Sequence, residues 1–142
     1  MISIRDIDHV VLRVRDMGAM RRFYCEVLGA RHVAWRPEFG MSHLKAGASM
    51  IDLVTVDGPL GKAGGAAPGM EGRIMDHLCL RVEPFDQEAI VAHLRRHGVA
   101  VGEVRRRYGA EGNGISIYVT DPEGNMVELK GPSDGLPPPP SP

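Results

Sequence analysis

The sequence predicts an α+β chain built from two tandem βαβββ modules, and three observations carry that expectation. Residues 7–14 read IDHVVLRV and residues 75–82 read MDHLCLRV, identical at five of eight positions, with His9 and His77 lying 68 residues apart. A second pair follows in the same order: MIDL at 50–53 and MVEL at 126–129, 76 residues apart. Between the paired segments each half carries one stretch of helical periodicity and further β-like runs. The repeat is therefore a unit of structure and not a chance match.

The first module spans residues 4–56. Its opening strand, 7–14, runs into Asp16, whose short carboxylate suits a helix N-cap. Met17, Met20, Tyr24, Val27 and Leu28 recur at helical spacing, and Gly29 stands where a helix-ending glycine belongs. Strands are expected at 31–36, 41–46 and 49–56. Residues 57–74 form a Gly/Pro-rich linker. Gly61-Lys62 within it lacks the spacing and the following Ser or Thr of a phosphate loop. The second module spans 75–131. Its first strand, 76–82, leads to Pro84, tolerated near a helix start. Phe85, Ala89, Ile90 and Leu94 give an apolar stripe that Gly98 ends. Strands are expected at 99–104, 115–120 and 125–130, the last two joined by the turn Asp121-Pro122-Glu123-Gly124. The Pro-rich stretch 132–142 reads as a disordered tail outside the fold.

Composition narrows the function classes. The 142 residues are 43% hydrophobic and 25% charged with a formal net charge of −1, ordinary for a globular protein. That charge gives no electrostatic reason to expect nucleic acid or an anionic membrane as partner. No apolar run approaches a membrane span, and residues 1–15 lack a signal-peptide core. Two cysteines, Cys25 and Cys79, fit free thiols in a reducing cytoplasm. The expected partner is a small molecule.

Strand parity points to its site. Side chains alternate faces along a strand, so Val10, Leu12 and Val14 form the apolar face of the first strand while His9, Val11 and Arg13 oppose them. In the repeat, Leu78, Leu80 and Val82 are apolar, and His77, Cys79 and Arg81 oppose them. Ile51 and Leu53 match Val127 and Leu129 as core, leaving Asp52 and Glu128 on the histidine face. A single strand histidine is usually an ordinary polar residue. One imidazole and one carboxylate at equivalent positions in both repeats is a different matter. Two neutral imidazoles with one or two carboxylates suit one divalent cation, Zn, Ni, Co, Mn or Fe(II), with open positions for substrate. His9, His77 and Glu128 are the expected ligands and Asp52 a conditional fourth. Metal affinity should weaken in acid as the imidazoles protonate.

These residues resemble the vicinal oxygen chelate superfamily, which includes glyoxalase I, bleomycin-binding proteins and extradiol dioxygenases. The resemblance rests on Ile7-Asp8-His9, on Phe23-Tyr24 with Leu28-Gly29, on Met75-Asp76-His77, and on Asp121 through Glu128. It implies paired βαβββ modules around a cupped, mostly antiparallel sheet, with His9, His77 and Glu128 on metal-ligand positions. Asp52 falls where glyoxalase I carries a ligand Glu. The resemblance further implies a homodimer, in which His9 and Asp52 of one subunit share a metal with His77 and Glu128 of the other.

It also implies metal-assisted chemistry on neighbouring oxygens, in three forms. A glyoxalase I-like lyase or isomerase would stabilise an enediolate or oxyanion, with Glu128 and Asp52 moving the proton; the acid at position 52 favours this form. An extradiol-type Fe(II) dioxygenase would act on a catechol-like substrate. Tyr118, ten residues before Glu128, resembles the tyrosine of ring-cleaving members, and His43 is the candidate for their separate histidine. A non-catalytic binding or resistance module is the third form, and the intact His/His/Glu set weighs against it. Arg13 and Arg81 share the histidine face and are expected to contact substrate, with His43 a further candidate. The run Arg105-Arg106-Arg107 reads chiefly as a solvated charge cluster.

Overall fold

The computed structural model describes residues 1–137. The chain divides into two compact units with the boundary between Arg73 and Ile74.

The first unit runs β1 (His9–Val14), α1 (Met17–Arg22), β2 (Arg31–Arg36), β3 (Met41–Ala46) and β4 (Ser49–Thr55). The second runs β5 (His77–Arg81), α2 (Gln87–Arg96), β6 (Val104–Gly109), β7 (Gly112–Thr120) and β8 (Met126–Lys130). Each unit is thus the expected βαβββ module. The two sheets share one topology, β1-β4-β3-β2 and β5-β8-β7-β6. In each, the first and last strands pair in parallel and the other pairs are antiparallel. The register repeats too: His9 lies opposite Met50 and Val11 opposite Asp52, as His77 lies opposite Met126 and Cys79 opposite Glu128.

The helices start where short carboxylates satisfy orphaned amides. Asp16 Oδ1 accepts from the Ala19 amide at 2.9 Å and Asp86 Oδ1 from the Ala89 amide at 3.0 Å. Asp86, and not Pro84, therefore marks the second start. Phe85 lies ahead of the helix, where its ring fills the space beside Gly131; a Cβ there would come within 2.8 Å of it. α1 continues as a wider π-helical turn over Phe23–Val27, which turns Phe23 and Tyr24 inward. Leu12, Val14, Met20, Phe23, Tyr24, Leu44, Ile51 and Leu53 are buried in the first unit, and Leu94, Ile117, Val119, Val127 and Leu129 in the second. Each such side chain contributes roughly 1.5–3 kcal/mol on leaving water. β1 alternates in burial, whereas β4 and β8 are buried on both faces, Asp52 and Glu128 included.

Three segments differ from expectation. The apolar run 99–104 is not a strand. Its backbone approaches β7 only through Gly102 and Glu103, and a Cβ at Gly102 would meet the Tyr118 carbonyl at 2.8 Å. The regular ladder begins at Val104 and carries Arg105, Arg106 and Arg107 along a sheet edge. The linker is not featureless: Gly61–Gly64 makes a 3₁₀ turn. Finally, the Pro-rich tail is tied to the β6–β7 hairpin as far as Pro137. The Asp134 amide donates to Asn113 O at 2.7 Å, Asn113 Nδ2 donates to Pro137 O at 2.8 Å, and Arg106 Nε pairs with Asp134 at 2.5 Å. Residues 138–142 lie outside the described residues.

Candidate metal and substrate site

In the first unit β1 presents His9, and Asp8 lies beside it with its Oδ1 2.7 Å from His9 Nδ1. This contact raises the imidazole pKa against the opposing effect of burial, with the charges of Asp8 and, more weakly, Asp52 adding to the rise. A carboxylate on Nδ1 fixes the tautomer and leaves Nε2 as the lone-pair nitrogen. On β4, Asp52 is 5% exposed. Cross-strand pairing sets His43 opposite it, with His43 Nδ1 2.9 Å from Asp52 Oδ1. That approach is close but not aligned as a hydrogen bond, so Asp52 Oδ1 is buried without a donor.

The second unit repeats the arrangement with different atoms. Asp76 Oδ2 lies 2.7 Å from His77 Nδ1, and His77 Nε2 lies 3.1 Å from Glu128 Oε2. Glu128 is 4% exposed, and its Oε1 has no hydrogen-bond partner. Its position follows from the preceding turn. Asp121 Oδ1 accepts from the amides of Glu123 and Asn125, each at 2.9 Å, and Asp121 Oδ2 accepts from Asn125 Nδ2 at 2.8 Å. Tyr118 lies opposite Glu128 across the ladder, the register position that His43 holds in the first unit. Its ring stands 5.5 Å from that of His77, and the Arg107 guanidinium carbon sits 4.0 Å above its centroid. Burial and the charge of Glu128 push the Tyr118 hydroxyl up, against Arg107. Burial, followed by Glu128, pushes the Cys79 thiol up to about 11.

The two arginines expected at substrate are committed elsewhere. Arg13 Nε donates to Gly61 O at 2.8 Å, and its terminal nitrogens donate to the carbonyls of Gly64, Gly65 and Ala66. Its fork has captured a row of backbone oxygens that the 3₁₀ turn leaves open, so Arg13 anchors the linker. Arg81 Nε binds Glu111 at 2.7 Å, and Glu83 and the Val82 carbonyl take its other donors. Of the arginine run, Arg105 and Arg107 pair with Glu103 and Arg106 with Asp134.

Among the described residues, no three His, Cys, Asp or Glu converge as a ready cation cage. The donor chemistry nevertheless fits a divalent ion. Each unit buries a carboxylate with an unsatisfied oxygen, and in the second unit a lone-pair nitrogen stands 3.1 Å from a carboxylate oxygen. Two donors each about 2.0–2.2 Å from one ion are separated by about that much when they subtend roughly a right angle.

A model of the Glyoxalase/Bleomycin resistance protein/Dioxygenase superfamily matches residues 6–129. The chain belongs to this superfamily. Virulence protein STM3117 of Salmonella typhimurium is 33% identical over 126 residues, covering 87% of this chain and 81% of that protein. Its crystal structure matches with a TM-score of 0.75 at 28% identity, over 92% of this chain and 99% of that one. A glyoxalase domain-containing protein of Mycosarcoma maydis, RDO1, is 34% identical over 131 residues, covering 90% of this chain and 69% of that protein. The structure of TnmS3, an antibiotic binding protein from Streptomyces, matches with a TM-score of 0.67 at 26% identity, over 94% of this chain and all of that one.

Two features of the site escaped sequence reasoning. Asp8 and Asp76 orient the histidines, and the doubled Asp-His dipeptide was the available signal. Lys130, 5% exposed, lies two residues beyond Glu128 on the same face of β8; strand parity alone placed it there.

Proposed function

We propose that this chain is a divalent-metal-dependent enzyme of its superfamily, a lyase or isomerase of glyoxalase I type acting on a small molecule with neighbouring oxygens. His9, His77 and Glu128 are the assigned ligands and Asp52 the conditional fourth, belonging to both copies of the repeat. The observation that supports this most is the pair of buried carboxylates at equivalent register positions, each with an oxygen lacking a donor. A carboxylate so desolvated is costly unless a cation or a proton meets it.

A bound divalent cation supplies Lewis-acid polarisation of two neighbouring substrate oxygens. The chain's own groups supply the rest. Asp8 and Asp76 hold Nδ1 of the two histidines and direct Nε2 away from the backbone. Glu128 Oε1, buried and without a donor, is assigned to lift and return the substrate proton, with Asp52 assisting. Tyr118 screens His77 from water on one side.

The position of Tyr118, against His77 and opposite Glu128, favours the extradiol-type Fe(II) dioxygenase as second reading. Here the tyrosine hydroxyl would hydrogen-bond the substrate, and His43 would be the proton-transferring base. The decisive experiment is metal analysis of anaerobically purified protein with paired assays. Zinc, nickel or cobalt with turnover of a thiol–methylglyoxal adduct supports the lyase. Iron with oxygen-dependent catechol cleavage replaces it with the dioxygenase, and tight binding of an apolar ligand without metal or turnover replaces both. His77→Ala is expected to lose at least a hundredfold in metal affinity. Unchanged affinity would remove His77 from the site. Asp52→Ala should sharply reduce isomerase turnover if its carboxylate assists the proton.

A further inference from the structure

The two sheets are copies, so a residue that differs between them is not demanded by the fold. In the parallel ladder of the first unit Arg13 lies opposite Val54; in the second, Arg81 lies opposite Lys130. A valine-sized apolar position has thus become a lysine, on the same face as Glu128 and two strand residues from it, roughly 7 Å along the chain. Lys130 is 5% exposed. Across the antiparallel ladder it faces Ser116, which is fully buried and whose hydroxyl has no hydrogen-bond partner.

The lysine stem has room because two neighbours lack side chains. A Cβ at Gly109 would come within 2.8 Å of Lys130 Cε, and one at Gly114 within 3.0 Å of its Nζ. The ammonium therefore lies over the β6–β7 hairpin, beside the backbone of Pro132. No ion pair or hydrogen bond holds it among the described residues. The charged groups around it are otherwise engaged. Arg81 is bound by Glu111 and Glu83, Arg107 and Arg105 by Glu103, and Asp134, which feels the charge of Lys130, by Arg106. Cys79 also feels that charge and is neutral at physiological pH. Lys130 thus buries its stem while its ammonium makes no ion pair or hydrogen bond among the described residues, and a buried hydroxyl without a partner, such as that of Ser116, is rare. Placed side by side on the face that carries Glu128, the two lack the same thing: a compact oxyanion.

We propose that Lys130 and Ser116 form an oxyanion subsite that receives the carboxylate, phosphate or phosphonate arm of the substrate. This deepens the reading above, on which it rests for the substrate's identity: the molecule carries neighbouring oxygens at one end and an anionic group a few bonds away. The lysine supplies charge and the serine a directional donor. Gly109 and Gly114 give the lysine stem its room.

The subsite needs no metal, which allows it to be tested apart from the proposed catalysis. Full-length protein stripped by a chelator is titrated with inorganic phosphate, and in parallel with acetate, by calorimetry and amide chemical shifts. Saturable binding is expected, at least tenfold weaker in Lys130→Met and severalfold weaker in Ser116→Ala, with Lys130→Arg retaining most of it. His77→Ala should bind phosphate as the wild type does. Gly109→Ala keeps the charge but displaces the stem, and it too should weaken binding, which covers the case in which Lys130→Met does not fold. Absence of saturable binding of either anion, or equal affinity in wild type, Lys130→Met and Gly109→Ala, overturns the proposal. Phosphate binding without any metal binding would sink the metalloenzyme reading and leave the subsite standing; the converse would do the opposite.

Discussion

Asp52 and Glu128 occupy the same register position in their sheets, yet one faces an imidazole and the other a phenol. His43 within 2.9 Å offers Asp52 a proton-exchanging neighbour, whereas Tyr118 offers Glu128 a bulky wall with a hydroxyl pushed to higher pKa. The repeat therefore supplies two carboxylates with unequal surroundings, the condition under which two acids take different roles. Cys79, opposite Glu128 in the parallel ladder, reports on the second of these environments. A thiol held at about 11 carries about a hundredfold less thiolate at pH 8 than one at its ordinary value. Alkylation of Cys79 at pH 8 should be correspondingly slow, and Glu128→Gln should accelerate it by removing the neighbouring negative charge. Iodoacetamide labelling followed by mass spectrometry measures both rates. Equal rates in the two proteins would mean that Glu128 does not act on the thiol.

At the scale of elements, the site depends on how tightly β8 is delivered to β7. The Asp121 carboxylate takes three donors from Glu123 and Asn125 while the backbone closes the turn through Gly124, which adopts a φ of 83°. Glycine adopts that conformation at little steric cost. Asp121→Ala would remove the acceptor of three part-buried donors and is expected to destabilise the protein by about 1–3 kcal/mol. Chemical denaturation followed by circular dichroism would register this as a lower midpoint, and a change below about 0.5 kcal/mol would show that the turn closes without the carboxylate. The turn was legible in the sequence because Asp-Pro-Glu-Gly encodes it locally. β6 was not. Its run of arginines carries no apolar alternation, and only pairing with β7 at a sheet edge makes it a strand, while the apolar residues before it lack a partner to ladder with.

At the scale of the whole molecule, the proposed ligands are drawn from both copies of the repeat, and the superfamily resemblance implies that two subunits share them. That arrangement makes a complementation prediction. His9→Ala and His77→Ala proteins, each defective alone, should recover about a quarter of wild-type metal sites when unfolded together and refolded as a 1:1 mixture, because half the dimers then hold one intact site of two. Metal content and turnover of the mixture measure the recovery. A mixture as defective as its parents would exclude ligands shared between subunits.

The sequence by itself determined the duplication, the βαβββ order, the Asp16 cap of the first helix and, within each unit, the strand face that His9 shares with Asp52 and His77 with Glu128. All of these follow from local periodicity and from one strand's parity being inherited by its repeat. Tertiary structure alone decided which neighbours those residues meet. It committed Arg13 to the carbonyls of the linker and Arg81 to Glu83 and Glu111, because a guanidinium goes to whichever oxygens the folded chain leaves open. It set Lys130 beside Ser116 with no ion pair among the described residues, since pairing across a ladder depends on register between segments distant in the chain. Residue type and alternation mark a face as chemical; only the pairing of strands decides which groups on that face remain free to bind.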